Sequence, residues 1–360
     1  MSPTWAVVVA LTGALTALGC SPDASGSGSP GSATGGTGAG TGGGSFGLGG
    51  NPAGAIPPSG SPCVAGTPYG APTALSSPQV VHQGTGSGLF EGPVWVAALG
   101  TLYLSDMTFG GAGPPPSVIH QYAPAAGTGA VFIEGTGSNG LALGVDGVLV
   151  GACHEPQGLT LFDPTTTGRQ ALPITYLGAH FNSPNDLTIR SDGNTYFTDP
   201  DWQLGGRVNE TGMTGVYRLA PDRVTVVLVD GTLDRPNGIA LSPDGGVLYV
   251  SDYNGGGSNG RIGAYPVAAD GSTGPRVDFV LPAIPGPDGM TVDCAGNVYA
   301  CAHDGGVVMV YSPAGTLLDS IVVAASLTNV AFGGPNASTL YATAGKAVYA
   351  IPMSVPGLAY

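Results

Sequence analysis

The chain has 360 residues, 64 of them Gly and 32 Pro; only 9% are charged and the formal net charge is −14. Glycine at this density excludes long helices, because each helix-interior Gly costs about 1 kcal/mol relative to Ala. The acidic balance excludes nucleic acid and anionic lipid surfaces as partners, since both need a Lys/Arg footprint, while 42% apolar residues predict a turn-rich all-β protein with a real core.

The stretch Ala6 to Leu18 is mostly apolar and ends in Gly19-Cys20. It is shorter than the roughly 20 residues of a bilayer span but matches the apolar core of an export signal. Residues 1–20 thus resemble a bacterial lipoprotein signal, with Cys20 as the lipidated N-terminus. Ser21 after the Cys, rather than Asp, implies the outer membrane. The expectation is an exported cell-envelope protein that meets the membrane only through a lipid anchor. Residues 21–60 carry 15 Gly, one charge (Asp23) and one aromatic (Phe46). They bury too little apolar surface to offset ordering entropy and read as a disordered Gly/Ser-rich tether.

Four further cysteines follow, Cys63, Cys153, Cys294 and Cys301. In an exported chain they permit disulfides, with three pairings open. Cys294 and Cys301 share one predicted hairpin but are staggered along it, which argues against that pair. The absence of a C-x-x-C argues against thiolate metal binding.

From residue 90 onward one phrase returns six times: a turn, usually Asp-Gly, then apolar alternation around a Tyr, often ending in Ser/Thr-Asp. Its central residues are Tyr103, Val150, Tyr196, Tyr249, Tyr299 and Tyr341. A period of roughly 40–50 residues with hairpin turns marks propeller blades. The chain therefore predicts an all-β, six-bladed β-propeller within residues 61–360. Closing the ring requires a borrowed strand, and Gln79 to His82 is the candidate partner for the hairpin from Leu340 to Ile351. One such ring is sufficient as a monomer.

A second phrase precedes each copy: Glu91-Gly92, Asn139-Gly140, Asn185-Asp186, Asn237-Gly238, Asp288-Gly289 and Asn329-Val330. One Asn-Gly is an ordinary turn signal. Six polar residues at blade spacing, one of them a Glu, predict a ring of oxygen donors at one mouth of the central channel. Such oxygens at the end of an apolar channel are costly without a cation. Hard oxygens without clustered His or Cys suit Ca2+ or Mg2+ better than Zn2+.

Glu91-Gly-Pro, Ser183-Pro-Asn185-Asp186, Pro236-Asn237-Gly238 and Pro287-Asp288-Gly289-Met290 resemble the motifs of the senescence marker protein/gluconolactonase/luciferin-regenerating enzyme family. The stretch from Asn182 to Pro200 and that from Thr328 to Gly334 are especially similar to bacterial gluconolactonases. The resemblance implies a propeller holding one divalent cation on Glu91, Asn185, Asn237 and Asp288. Ca2+ is the first candidate, with Mg2+, Mn2+ and Zn2+ behind it. It further implies a lactone hydrolase in which the metal acts as Lewis acid and Asp288 as base; base and direct nucleophile stay open for Asp288. Asn139 and Asn329 would stand behind the ligands or face substrate. By blade symmetry His154, Trp202, Tyr253 and His303 lie toward rim or axis as candidate substrate contacts. Where gluconolactonases commonly have a Gly-His-Arg-type segment, this chain has His154-Glu-Pro-Gln-Gly158. Two other readings share the same ring: a non-catalytic envelope binding propeller with a structural cation, and an organophosphate hydrolase.

Overall fold

A computed structural model describes residues 63–358 except 65, 110–112 and 255–259, with no account of the side chains of 281–283. The signal at residues 1–20, Cys20 and the tether at 21–60 lie outside the described residues. Six four-stranded antiparallel sheets follow one another along the chain. Each starts on an inner strand: β2 (Leu89–Val96), β6 (Ser138–Leu143), β10 (Leu187–Ile189), β14 (Pro236–Leu241), β18 (Pro287–Val292) and β22 (Leu327–Gly333). The second strands carry the repeated phrase, centred on Tyr in five blades and on Val150 in the second: β3 (Thr101–Met107), β7 (Leu149–Cys153), β11 (Thr195–Asp199), β15 (Val247–Asp252), β19 (Val298–Ala302) and β23 (Thr339–Ala344). Inner strands touch their neighbours all the way round, from β2 through β22 and back to β2. That closed circuit of six blades is a β-propeller.

Burial grades outward. Inner and second strands are buried on both faces because each blade is covered on two sides, whereas outer strands such as β5 (Thr128–Ile133) and β21 (Leu317–Val322) are mostly exposed. The core is therefore six interblade layers rather than one centre. The Asp-Gly steps form the hairpins between inner and second strands. Asp192 and Asp244 accept the backbone N–H two residues on, and Gly193 and Gly245 take positive φ, as such turns require.

Closure follows the expectation. Strand β1 (Gln79–Gln83) pairs antiparallel with β24 (Ala347–Pro352), Gln79 opposite Ala350 and Gln83 opposite Ala347, with a bulge between Val80 and His82. The last blade thus takes its outer strand from the start of the ring, which pairs an otherwise open edge. Lys346 pairs with Asp106 and lies over the Phe90 ring, tying the seam to blade one. Of the three open cysteine pairings, Cys63–Cys294 forms, with Cα atoms 5.0 Å apart, while Cys153 and Cys301 stay as buried thiols. Burial pushes the Cys153 thiol up to about 12, so neither buried cysteine is a ready nucleophile.

The glycines of the second phrase serve close approach rather than hairpin turns. A Cβ on Gly92, Gly140 or Gly238 would come closer than 3.0 Å to backbone of the following blade, around Asn139, Asn185 and Asp288 respectively. Gly92 also has φ +51°, a region costly to side-chain-bearing residues. Gly92→Ala should therefore destabilise the protein by about 2–4 kcal/mol, read by denaturant unfolding. A loss below about 0.5 kcal/mol would show that the inner strands separate without penalty.

Candidate active site

The ladder breaks where the ring residues stand. Register shifts fall between Glu91 and Val94, Ser138 and Leu141, Pro236 and Ile239, Pro287 and Met290, and Leu327 and Asn329. Bulges of this kind re-aim side chains and end pairing. Here they release Glu91, Asn139, Asn237 and Asp288 toward the axis, while Asn185 lies just ahead of β10.

The Ser/Thr-Asp endings of the second strands hold this arrangement. Thr198 Oγ1 donates to the Asn237 carbonyl at 2.7 Å and Ser251 Oγ to the Asp288 carbonyl at 3.0 Å. Each hydroxyl thereby fixes the ring residue of the next blade. The aspartates cap the loops entering the ring. Asp199 accepts the N–H groups of Asn182 and Ser183, and Asp252 accepts that of Arg235.

Glu91, Asn139, Asn185, Asn237 and Asp288, all buried, line one cavity of about 380 Å3 with Trp202, Tyr253 and His303. Two candidates lie elsewhere. Asn329 points one layer down, where its Nδ2 donates to Glu91 Oε2 at 3.3 Å and Asp186 Oδ2 at 3.4 Å; Thr328 takes its place in the lining. His154 is fully buried outside the lining, its Nε2 2.7 Å from the Pro115 carbonyl and its own carbonyl accepting from Arg207. It braces two loops. Beneath the ring the channel narrows to about 50 Å3 and meets Leu358 at its far end.

Three residues escaped the sequence reading. Asp186 is buried below the ring, at the phrase position that is Gly in four other blades. That substitution of a carboxylate for Gly was the available signal. Arg235 and Gln203 line the cavity and carried no signal, since neither recurs between blades.

Glu91 and Asp288 in the cavity wall and Asp186 just below it are three buried carboxylates, and among the described residues no Lys or Arg forms an ion pair with any of them. Burial, then the charges of Asp288 and Asp186, holds the Glu91 carboxyl well above the usual range. Burial likewise pushes Asp186 up to about 7 and raises Asp288. His303 Nδ1 lies 3.2 Å from Asp288 Oδ2, and that hydrogen bond raises the imidazole. Asn139 Oδ1 is buried without a hydrogen-bond partner. Among the described residues no three His, Cys, Asp or Glu side chains are disposed as a metal set; amides supply much of the donor group. An orphaned amide oxygen beside unbalanced carboxylates fits a hard, oxygen-preferring divalent cation, and not a thiolate- or imidazole-bound one.

The family model described as the SMP-30/gluconolactonase/LRE-like region matches residues 89–346. The chain belongs to this family. It is 33% identical over 257 residues to a gluconolactonase of Zymomonas mobilis, covering 64% of this chain and 68% of that one. It is 31% identical over 262 residues to a pentonolactonase of Haloferax volcanii, covering 71% and 81%. A solved gluconolactonase of Xanthomonas campestris superposes with a TM-score of 0.65 at 29% identity, covering 80% of this chain and 99% of that one.

Proposed function

We propose that the protein is a divalent-cation-dependent lactone hydrolase. The observation that carries this reading is the convergence of Glu91, Asn139, Asn185, Asn237 and Asp288 in one cavity with more negative charge than its partners offset; the named lactonase relatives support the reaction class. Glu91, Asn185, Asn237 and Asp288 would hold the ion, with Ca2+ the first candidate. When bound, the cation supplies Lewis acidity toward the lactone carbonyl oxygen.

The chain's own residues do the rest. Asp288 accepts a proton from the attacking water at its carboxylate as that water adds to the carbonyl carbon. The ring C–O bond then breaks, the departing ring oxygen takes the proton, and the product is an open hydroxy acid. His303, hydrogen-bonded through Nδ1, orients Asp288 and spreads the charge. Trp202 and Tyr253, edge to face at 5.6 Å, form an apolar wall that keeps bulk water from the reacting face.

Export belongs to the same proposal. The Cys63–Cys294 bond is of a kind kept in oxidising compartments and supports a cell-envelope location with Cys20 as anchor. The test is turnover of a panel of aldonolactones by chelator-stripped protein reloaded with Ca2+, Mg2+, Mn2+ or Zn2+, with a phosphotriester alongside. Hydrolysis restored by cation is expected. No lactone opened under any loading, or a phosphotriester preferred, would reject the reading.

A further inference from the structure

We propose that Arg235 forms an anion subsite at the rim of the cavity, so that the preferred substrate is a lactone bearing a second, anionic substituent away from the reacting carbonyl. The inference rests on the lactonase reading above and narrows its substrate class.

The chain has nine Lys and Arg in all, and eight of them donate at least one side-chain hydrogen bond within the protein. Arg235 is the exception. Among the described residues its guanidinium has one ion pair, Nε to Asp201 Oδ1 at 3.4 Å, with the two side chains 40% and 39% exposed. An ion pair that open to water contributes about 0–1 kcal/mol. Among the described residues neither terminal nitrogen of the fork has a hydrogen-bond acceptor.

Among the described residues Arg235 is also the one Lys or Arg in the lining of the 380 Å3 cavity. Its backbone is fixed although its head is not. Asp252 Oδ1 accepts the Arg235 N–H at 2.8 Å, the Arg235 carbonyl accepts from Tyr253 N–H at 3.0 Å, and Pro236 restricts it to extended conformations. The Asp252 charge is itself met by Arg261, at 3.0 and 2.8 Å, so it does not draw the Arg235 fork away. A rooted guanidinium with free terminal nitrogens, beside the rings of Trp202 and Tyr253, suits the planar, bidentate capture of a carboxylate, and equally a sulfonate or phosphate.

The γ-lactones of D-gluconate and D-glucarate share one ring and differ at the terminal carbon, a hydroxymethyl in the first and a carboxylate in the second. The experiment compares kcat/KM for this pair in wild type, Arg235→Gln and Arg235→Lys. Calorimetric binding of the open acids, gluconate and glucarate, runs in parallel and needs no turnover. Wild type should favour the glucarate lactone and bind glucarate more tightly. Arg235→Gln should collapse the ratio by about 10- to 100-fold, the range of a charge-assisted hydrogen bond, through KM more than kcat. Arg235→Lys should retain an intermediate preference. A ratio unchanged by Arg235→Gln, in turnover and in binding, would overturn the proposal. If neither lactone is opened while Arg235-dependent glucarate binding persists, the subsite stands and the lactonase reading falls. Loss of both rejects both.

Discussion

Asp288→Asn should lower kcat for lactone hydrolysis by about 10²- to 10⁴-fold, the range that general-base catalysis supplies. The substitution keeps size and hydrogen-bonding capacity, so His303 Nδ1 retains an acceptor and the carbonyl of residue 288 still receives Ser251 Oγ. What it removes is the proposed proton acceptor and one of three buried carboxylates. Fold and activity should therefore move in opposite directions. The variant without cation should melt higher than wild type without cation, because Asp288 no longer repels Glu91, while turnover collapses. Cation affinity measured on the same variant separates the two roles assigned to Asp288. Turnover returning to the wild-type rate at saturating cation would leave Asp288 as a holder of the ion and remove it as base. Turnover that stays low when the cation is bound is the expected result.

Much of the fold was legible because its determinants repeat. Six copies of one phrase, five centred on Tyr and three opened by Asp-Gly, define six second strands, and the candidate closing strand from Gln79 pairs with β24 as expected. Five ring residues were legible for the same reason, as one polar side chain per blade. The direction of Asn329 was not. A period counts positions but does not say which side of a bulge a side chain leaves from, and in the last blade the irregularity between Leu327 and Asn329 turns Asn329 down to Glu91 and Asp186. His154 misled for a related reason. Blade symmetry carried it toward rim or axis, but it is buried with its ring against the Pro115 carbonyl, in the loop before β4 (Ser117–Ala123). Arg235 was invisible because its distinction is negative: among the described residues it has an open ion pair with Asp201 but none of the side-chain hydrogen bonds that each other basic residue donates. Asp186 could have been found. A carboxylate where four blades have Gly must occupy space those blades leave for the neighbouring strand.

The same carboxylates set how stability should depend on pH. Burial raises Asp186 to about 7 in the folded protein, against 3.8 in the open chain, and raises Glu91 and Asp288 in the same direction. A raised folded value means that the folded state binds protons which the unfolded state has released. Stability is then fully present below the unfolded value and lost as pH climbs to the folded one. For Asp186 alone that window runs from about 4 to about 7 and is worth about 4 kcal/mol at most. Asp199, also raised to about 7 by burial, adds to the slope. His82 and His154, both lowered by burial, oppose it weakly below about pH 6.5, where an unfolded imidazole gains its proton. Carboxylates lowered by hydrogen bonds and ion pairs, such as Asp106 and Asp230, matter only below about pH 4. Chelated protein should thus melt about 5–10 °C lower at about pH 8 than at about pH 5. Under the proposed function a divalent cation held on Glu91 and Asp288 would replace their protons and favour an ionised Asp186 just below them. It should therefore stabilise most at the alkaline end and leave the residual slope from Asp199 and from Asp293, also raised by burial, neither of which is in the cavity lining. Calorimetry across that range with chelator and with Ca2+ reads both curves. Parallel curves would mean that the channel carboxylates do not face the ion, and the candidate site would have to move.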